Sequence, residues 1–290
     1  MRKSFPRAEL ESLAGVAAAR WESVVGGGYA RNFERWSVEL ADGRRVFVKL
    51  ALDEDAAEWL RSEHRVYAAV DASFLAGLVG WHDRERTLLV LEDLSHAHWP
   101  PPWRDGEIDA VLGTLEAVAA TPPPAGTPAL EELQDWLDGW SMVAADPEPL
   151  LSTGLCSREW LDHALPLLRQ AFADCELSGG DFLHLDVRSD NLCLDDGRVV
   201  LVDWNHAHVG NGLLDVVAWL PSLRLEGGPE PWELVPDSGG FATVMAGFFA
   251  ARAGLPAPPT APDVRGFQLR QAEVALPWAA QELGLNTGLH

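Results

Sequence analysis

Two short apolar runs joined by a polar turn constrain the fold of this chain more than any other feature. Residues 192–194 and 199–202 are rich in aliphatic side chains, and residues 195–198, DDGR, are typical of a tight turn. We therefore predict a β-hairpin in which Leu194 pairs with Val199.

The predicted register brings two oxygen-bearing side chains to the open end of the hairpin. Asn191 then lies opposite Val202 and beside Asp203. Amide and carboxylate oxygens are hard ligands that suit Mg²⁺, which shares its remaining positions with water and phosphate. Asp186 enters the same region on a loop, where its carboxylate can orient an attacking hydroxyl and accept its proton. The segment predicts a phosphoryl-transfer site, with an ordinary acidic surface hairpin as the alternative.

The residues around this site resemble the catalytic and metal-binding loops of the aminoglycoside phosphotransferase and choline kinase group, small-molecule relatives of the protein kinases. The resemblance rests on HLDVRSDN at 184–191 and VDW at 202–204. It implies an α+β, two-lobed protein-kinase-like fold. A small β-rich N-terminal lobe is expected at residues 1–91, a hinge at 92–95, and a larger, mainly helical C-terminal lobe at 96–290.

The resemblance also implies roles for residues near the active loop. Arg188 lies two residues after Asp186, where a protein kinase usually carries a lysine that neutralises the transferring phosphate; the alternative is that it pairs with Asp190. His184 is expected to support the loop and not to act as a base, and Asp215 to brace the loop by accepting backbone N–H groups. Leu185 replaces a glycine found in many relatives, which indicates a divergent branch.

The upstream half predicts a clamp for nucleotide phosphates. Residues 33–40 and 45–50 are typical of two strands around a turn, preceded by a glycine run in which Gly27 and Gly28 allow close approach to a phosphate. Lys49 lies at the end of the second strand, where its ammonium can grip those phosphates.

A predicted helix at residues 53–70 supplies the partner of Lys49. Glu63 falls on the apolar face of this helix, and a buried acid requires a partner. Glu58 is the competing candidate, although it lies on the more charged side. We predict a pair between Lys49 and Glu63, with an ordinary surface ion pair as the alternative.

An apolar strand at residues 87–91 leads into the expected hinge. In the resembling family, backbone groups here hydrogen-bond the adenine edge, so Glu92 and Leu94 are expected to contact the nucleotide base. A buried strand that ends at a surface turn is a compatible interpretation.

Composition bounds the remaining possibilities. The 290 residues, 47% of them hydrophobic, suffice for one large or two modest cores. Acids interrupt the N-terminal stretch before it forms a secretory signal, and no apolar run approaches a membrane span. Three cysteines without metal-type spacing are expected to be reduced thiols in a cytoplasmic protein.

The net charge of −22 restricts the partners. Such an acidic chain is not expected to bind nucleic acid or anionic membrane, because phosphate backbones are bound mainly by Lys and Arg. The charge either steers a cationic acceptor towards the protein or serves only solubility.

The C-terminal half carries the acceptor question. Its apolar spacing predicts amphipathic helices at residues 107–120, 130–143, 157–173 and 241–251. Trp99 and Trp103 follow the hinge in a Pro-containing loop. They either stack on a ligand or pack at the surface or between the lobes.

The combined expectation is transfer of the γ-phosphoryl of ATP, or of GTP, with Mg²⁺ to a hydroxyl of a small molecule. The resemblance favours an antibiotic, amino sugar or related secondary metabolite. A metabolic kinase acting on choline, a homoserine-like compound or a sugar is the nearest alternative, and a nucleotide-binding pseudokinase is another. The short interval from Asp203 to Asp215 disfavours a protein kinase. The oligomeric state is left open.

Overall fold

Alternating apolar residues build an antiparallel sheet in the N-terminal part of the chain. The structure is a computed structural model that describes residues 5–25, 32–259 and 261–285, so Gly27 and Gly28 lie outside the described residues. The sheet has the order β1-β2-β3-β5-β4. Its strands are β1 (Ala18–Ser23), β2 (Phe33–Leu40), β3 (Arg45–Ala51), β4 (Leu78–Asp83) and β5 (Thr87–Glu92).

The two faces of this sheet have different neighbours. Val38, Val48 and Val90 are fully buried in one cluster with Leu10 of helix α1 (Arg7–Ala14). Because side chains alternate along a strand, the intervening residues face the other way. That second face looks towards helix α2 (Glu54–Ala69), whose first turn is capped by Asp53.

The C-terminal part is mainly helical. Helix α10 is buried on nearly all sides and contacts α11, α5 and α7, which makes it the centre of the core. The helices are α3 (Glu107–Ala119), α4 (Gln134–Leu137), α5 (Gly139–Ala145), α6 (Glu148–Ser152), α7 (Arg158–Ala173), α8 (Leu213–Leu225), α9 (Pro231–Leu234), α10 (Gly239–Ala253) and α11 (Val264–Glu282).

Two small antiparallel pairs sit on the helical part and carry the loops of interest. Strand β6 (Asp181–Leu183) pairs with β9 (His208–Gly210), and β7 (Leu192–Asp195) pairs with β8 (Arg198–Leu201). The predicted α+β, two-lobed arrangement is present, and its lobe boundaries stay a prediction. No helix of the described ranges is long and apolar enough to cross a membrane.

One helix prediction is wrong. Residues 130–143 form a 3₁₀ turn followed by α4 and α5, and not a single helix. Asp138 ends α4 and caps α5 by accepting a hydrogen bond from Ser141 N at 3.0 Å. A Cβ on Gly139 would lie 1.9 Å from the Gly247 carbonyl oxygen of α10. The break therefore lets α5 approach α10 backbone to backbone.

Candidate active site

The hairpin forms in the predicted register. Leu194 pairs with Val199, and the Val202 N–H donates to the Asn191 carbonyl oxygen at 2.9 Å. The turn residues Asp196 and Gly197 have φ of 47° and 83°. Two consecutive left-handed residues match the right-handed twist of the strands. The turn thus aligns the open end of the hairpin, where Asn191 lies.

A buried carboxylate holds the loop that precedes the hairpin. The two oxygens of Asp215 accept hydrogen bonds from His184 N at 2.6 Å and Leu185 N at 2.7 Å. Burial raises the pKa of Asp215 to about 6, and the two N–H groups oppose the rise. Leu185 has φ of 60°, a conformation that favours glycine, so the brace holds a strained residue in place.

His184 ties this loop to the strand after the hairpin. Its Nε2 donates to the Val202 carbonyl oxygen at 2.8 Å, and its Nδ1 accepts from Asp186 N at 3.2 Å. Both ring nitrogens are therefore engaged with backbone. Burial lowers the pKa of His184 to about 4, so the ring is neutral at pH 7. This geometry agrees with a supporting role and leaves no nitrogen to act as a base.

Asn191 orients the Asp186 carboxylate. The Asn191 amide donates to the Asp186 carbonyl oxygen at 2.9 Å and to Asp186 Oδ2 at 2.8 Å. Enclosure in the cleft between the sheet and the hairpin raises the pKa of Asp186, while the Arg188 guanidinium opposes that rise. Because both amide hydrogens are committed, the Asn191 amide oxygen is oriented away from Asp186.

Strand β3 and helix α2 bring the predicted ion pair together. Lys49 Nζ lies 2.6 Å from Glu63 Oε2 and 2.6 Å from Asp203 Oδ1. The Lys49 and Glu63 side chains are 3% and 1% exposed. Burial opposes charge on Lys49, yet Asp203 and Glu63 raise the pKa of its ammonium overall. Glu58 pairs instead with Arg61 on the outer face of α2.

Arg188 contacts Asp190, its predicted alternative partner, and also Asp186. Its Nε lies 3.3 Å from Asp186 Oδ1 and 3.2 Å from Asp190 Oδ1. The guanidinium carbon also lies 5.3 Å from the ring centroid of Phe267 in α11. The side chain is therefore held beside Asp186, where it can meet a phosphoryl group.

The available ligands suit Mg²⁺, which takes only part of its coordination shell from the protein. Among the described residues no group of three or more His, Cys, Asp or Glu side chains forms a metal site. Asn191 and Asp203 offer an amide oxygen and a carboxylate at the same end of the cleft. Mg²⁺ typically takes one or two protein oxygens and completes its shell with phosphates and water. The residues thus fit a metal that arrives with a nucleotide.

The structure assigns the Glu92 side chain a task that sequence reasoning missed. Glu92 Oε1 accepts from Arg198 Nη2 at 2.7 Å, and Oε2 accepts from Gly77 N at 3.0 Å. Its backbone N–H donates to the Gly77 carbonyl oxygen at 2.8 Å. The Leu94 carbonyl oxygen accepts from Trp99 Nε1 at 3.0 Å. The backbone carbonyl of Glu92 and the N–H of Leu94 stay predicted contacts for a nucleotide base.

Trp103, like Trp99, has a structural partner. Trp103 Nε1 donates to Glu226 Oε2 at 2.9 Å, and its ring lies 5.4 Å from that of Trp219. The packing interpretation of this loop therefore accounts for both indole N–H groups.

Comparison with known proteins identifies the family. Residues 23–235 match the model of the phosphotransferase enzyme family. The chain belongs to that family. Among curated proteins, none is similar enough in sequence to match it.

Solved structures show the same fold. A choline/ethanolamine kinase family protein from Mesorhizobium loti has a TM-score of 0.62 at 16% identity, with 96% of each chain covered. A thermostable mutant of an aminoglycoside phosphotransferase, in complex with ADP and hygromycin B, has a TM-score of 0.59 at 15% identity, covering 96% of this chain and 98% of the other. A protein from Thermobifida fusca, described as a putative fructosamine-3-kinase, has a TM-score of 0.53 at 18% identity, covering 94% of this chain and 98% of the other.

This phosphotransferase therefore has the two-lobed, protein-kinase-like fold of the family. It is a phosphotransferase that acts on hydroxyl groups, on a fold used for small-molecule acceptors. The resemblance inferred from the loop sequences is confirmed.

Proposed function

We propose that this phosphotransferase transfers the γ-phosphoryl of ATP directly to a hydroxyl of an antibiotic, amino sugar or related secondary metabolite. The observation that carries the proposal is the convergence of Lys49, Asp186, Asn191 and Asp203 on one cleft. Lys49 and Asp203 are 154 positions apart in the sequence, yet their charged atoms lie 2.6 Å apart.

The N-terminal lobe supplies the nucleotide-binding groups. Glu63 holds the Lys49 ammonium on the cleft face of β3, so that it can grip the nucleotide phosphates. The backbone groups of Glu92 and Leu94 would meet the base. Gly27 and Gly28 stay predicted phosphate contacts. Mg²⁺, held by Asn191 and Asp203 when bound, would neutralise negative charge on the transferred phosphoryl.

The C-terminal lobe supplies the acceptor-activating groups. Asp186 would accept the hydroxyl proton, because its carboxylate is fixed by Asn191 and enclosed in the cleft. Arg188 would lie against the transferring phosphoryl, since its guanidinium already borders Asp186. Asp215 and His184 keep the loop in the conformation that these contacts need.

The net charge and one structural neighbour support the acceptor class. An acidic chain of net charge −22 attracts cationic acceptors, and one structural neighbour holds hygromycin B. The similarity to a choline/ethanolamine kinase family protein supports a metabolic kinase as the second candidate. A cytoplasmic location is proposed from the free thiols of Cys156, Cys175 and Cys193.

The test is Mg²⁺-dependent ADP release from ATP across aminoglycosides, nucleoside and peptide antibiotics, choline and amino sugars. Asp186→Asn serves as the control, because it keeps the shape of the side chain and removes the proton acceptor. We expect turnover with one acceptor and its loss in Asp186→Asn. ATP binding without acceptor-dependent release for any compound would favour a pseudokinase, and turnover only with choline or a simple sugar would favour the metabolic kinase.

A further inference from the structure

We infer that Arg35 is a second phosphate-binding cation of the nucleotide site, acting beside Lys49. The inference rests on the proposed function and extends it to a residue that the sequence motifs do not mark. It concerns the cleft face of the N-terminal sheet.

The register of the sheet places Arg35 next to Lys49. In the antiparallel pairing of β2 with β3, Arg35 lies directly opposite Lys49. Cross-strand partners share one face, with their Cβ atoms about 5 Å apart. Phe33, two residues earlier on β2, projects on the same face. Arg35 Cζ and Lys49 Nζ lie 5.0 Å and 5.2 Å from the centroid of that ring. The two cations therefore flank one aromatic ring.

The charges around Arg35 are those of the proposed nucleotide site. Burial lowers the pKa of Arg35, while the negative charges of Asp203 and Glu63 oppose that effect. Arg35 and Lys49 carry one positive charge each, and Glu63 and Asp203 one negative charge each. The cluster is neutral with Arg35 and would be net negative without it. Loss of this positive charge would weaken the attraction of the cluster for a nucleotide polyphosphate, so Arg35 favours binding of the ligand.

Hydrogen-bonding capacity also favours a second cation. Lys49 has three donors, and Glu63 and Asp203 already occupy two of them. A guanidinium presents a planar fork of donors that matches phosphate oxygens, and it stays charged in a desolvated site. Arg35 lies opposite Lys49 on the same face of the sheet, so its side chain is on the side of the cleft where phosphates are expected.

The alternative is that Arg35 only packs on Phe33 and supports the sheet. The two roles differ in their ligand dependence. Loss of a phosphate contact weakens the binding of phosphorylated nucleotides alone. A packing defect weakens adenosine binding as well, or it lowers the melting temperature.

Isothermal titration calorimetry of the full chain with MgATP and with adenosine separates these roles. Arg35→Met keeps the aliphatic stem against Phe33 and removes the charge. We expect MgATP affinity to fall about 10- to 100-fold, the range for loss of a charge-assisted contact, with adenosine affinity changed less than about 2-fold. Arg35→Lys should recover part of the loss. Arg20→Ala, an exposed arginine on β1, is the matched control and should bind both ligands as the wild type does.

Three outcomes would overturn the inference. MgATP affinity of Arg35→Met within about 2-fold of wild type is the first, and equal weakening of MgATP and adenosine is the second. If Arg35→Met has a lowered melting temperature, Arg35→Lys replaces it in the test. A folded Arg35→Lys chain must then lose more affinity for MgATP than for adenosine. A wild-type chain that binds no MgATP is the third, and it alone refutes the proposed function too.

Discussion

Removal of the Lys49 ammonium should leave a buried acid, Glu63, without its ion-pair partner. Glu63 is 1% exposed, and its Oε1 has no hydrogen-bond partner among the described residues. Lys49→Met keeps the length of the side chain but removes the charge that Glu63 Oε2 contacts at 2.6 Å. An isolated ionised carboxylate is unfavourable in the interior, so Glu63 is expected to take up a proton in this variant.

The free energy needed to protonate Glu63 sets an upper limit on the stability that Lys49→Met loses through this carboxyl group. Glu63 has an ordinary pKa of 4.5, and holding the proton above that value costs about 1.4 kcal/mol per pH unit. The limit is about 2 kcal/mol at pH 6, about 3 kcal/mol at pH 7 and about 5 kcal/mol at pH 8. Because the folded-state pKa is raised, the stability is fully present below pH 4.5 and is lost as the pH rises.

Urea denaturation followed by tryptophan fluorescence measures this loss at pH 6, 7 and 8. Lys49→Met should lose more stability at each higher pH. Lys49→Met/Glu63→Gln, which has no carboxyl group to protonate at position 63, should lose less and depend less on pH. Arg158→Met is the matched control, because its pair with Glu148 is exposed and should contribute under about 1 kcal/mol. A Lys49→Met loss that is equal at pH 6 and pH 8 would refute the reasoning.

Three other perturbations test the backbone, the buried imidazole and the loop brace. Gly139→Ala should lower the free energy of unfolding by at least about 2 kcal/mol, since its Cβ would meet the Gly247 carbonyl oxygen at 1.9 Å. Gly113→Ala, whose Cβ would enter open space, should raise that free energy by about 0.5–1 kcal/mol. Urea denaturation measures both changes. The lowered pKa of His184 should remove about 3 kcal/mol of stability as the pH falls from 6.5 through about 4, and an asparagine at this position should flatten that loss in the same assay. Asp215→Asn places an amide against a backbone N–H, so acceptor-dependent ADP release should fall at least about 10-fold while calorimetric MgATP affinity is kept; unchanged release would contradict the brace.

Local patterns were sufficient where the interaction lies within a few residues. The aliphatic runs and turn chemistry predicted the pairing of Leu194 with Val199, because hairpin register follows from the turn. Helical spacing distinguished Glu63 from Glu58, since only one of them lies on the apolar face of α2. Both are short-range properties that a chain carries before it folds.

Long-range packing explains what sequence reasoning missed. Residues 130–143 have helical spacing, but the helix breaks at Asp138, and the break allows Gly139 to approach α10, a neighbour that only the packed structure contains. Sequence reasoning considered only the backbone of Glu92, whereas its carboxylate pairs with Arg198, 106 positions further along the chain. An acid in a surface turn carries no local signal of such a partner.

The amino-acid sequence by itself determined the fold class, the family and the residue types of the phosphoryl-transfer loops. The family and the fold class follow from the resemblance carried by contiguous motifs, and the strands and helices of the loops follow from periodicity and turn chemistry. Only the tertiary structure decided which distant charges share the cleft: it set Lys49 against Asp203, 154 positions further along the chain. The physical reason is that a charge acts across a few ångströms of low-dielectric space, and the distances between distant segments arise only when the sheet and the helices pack together.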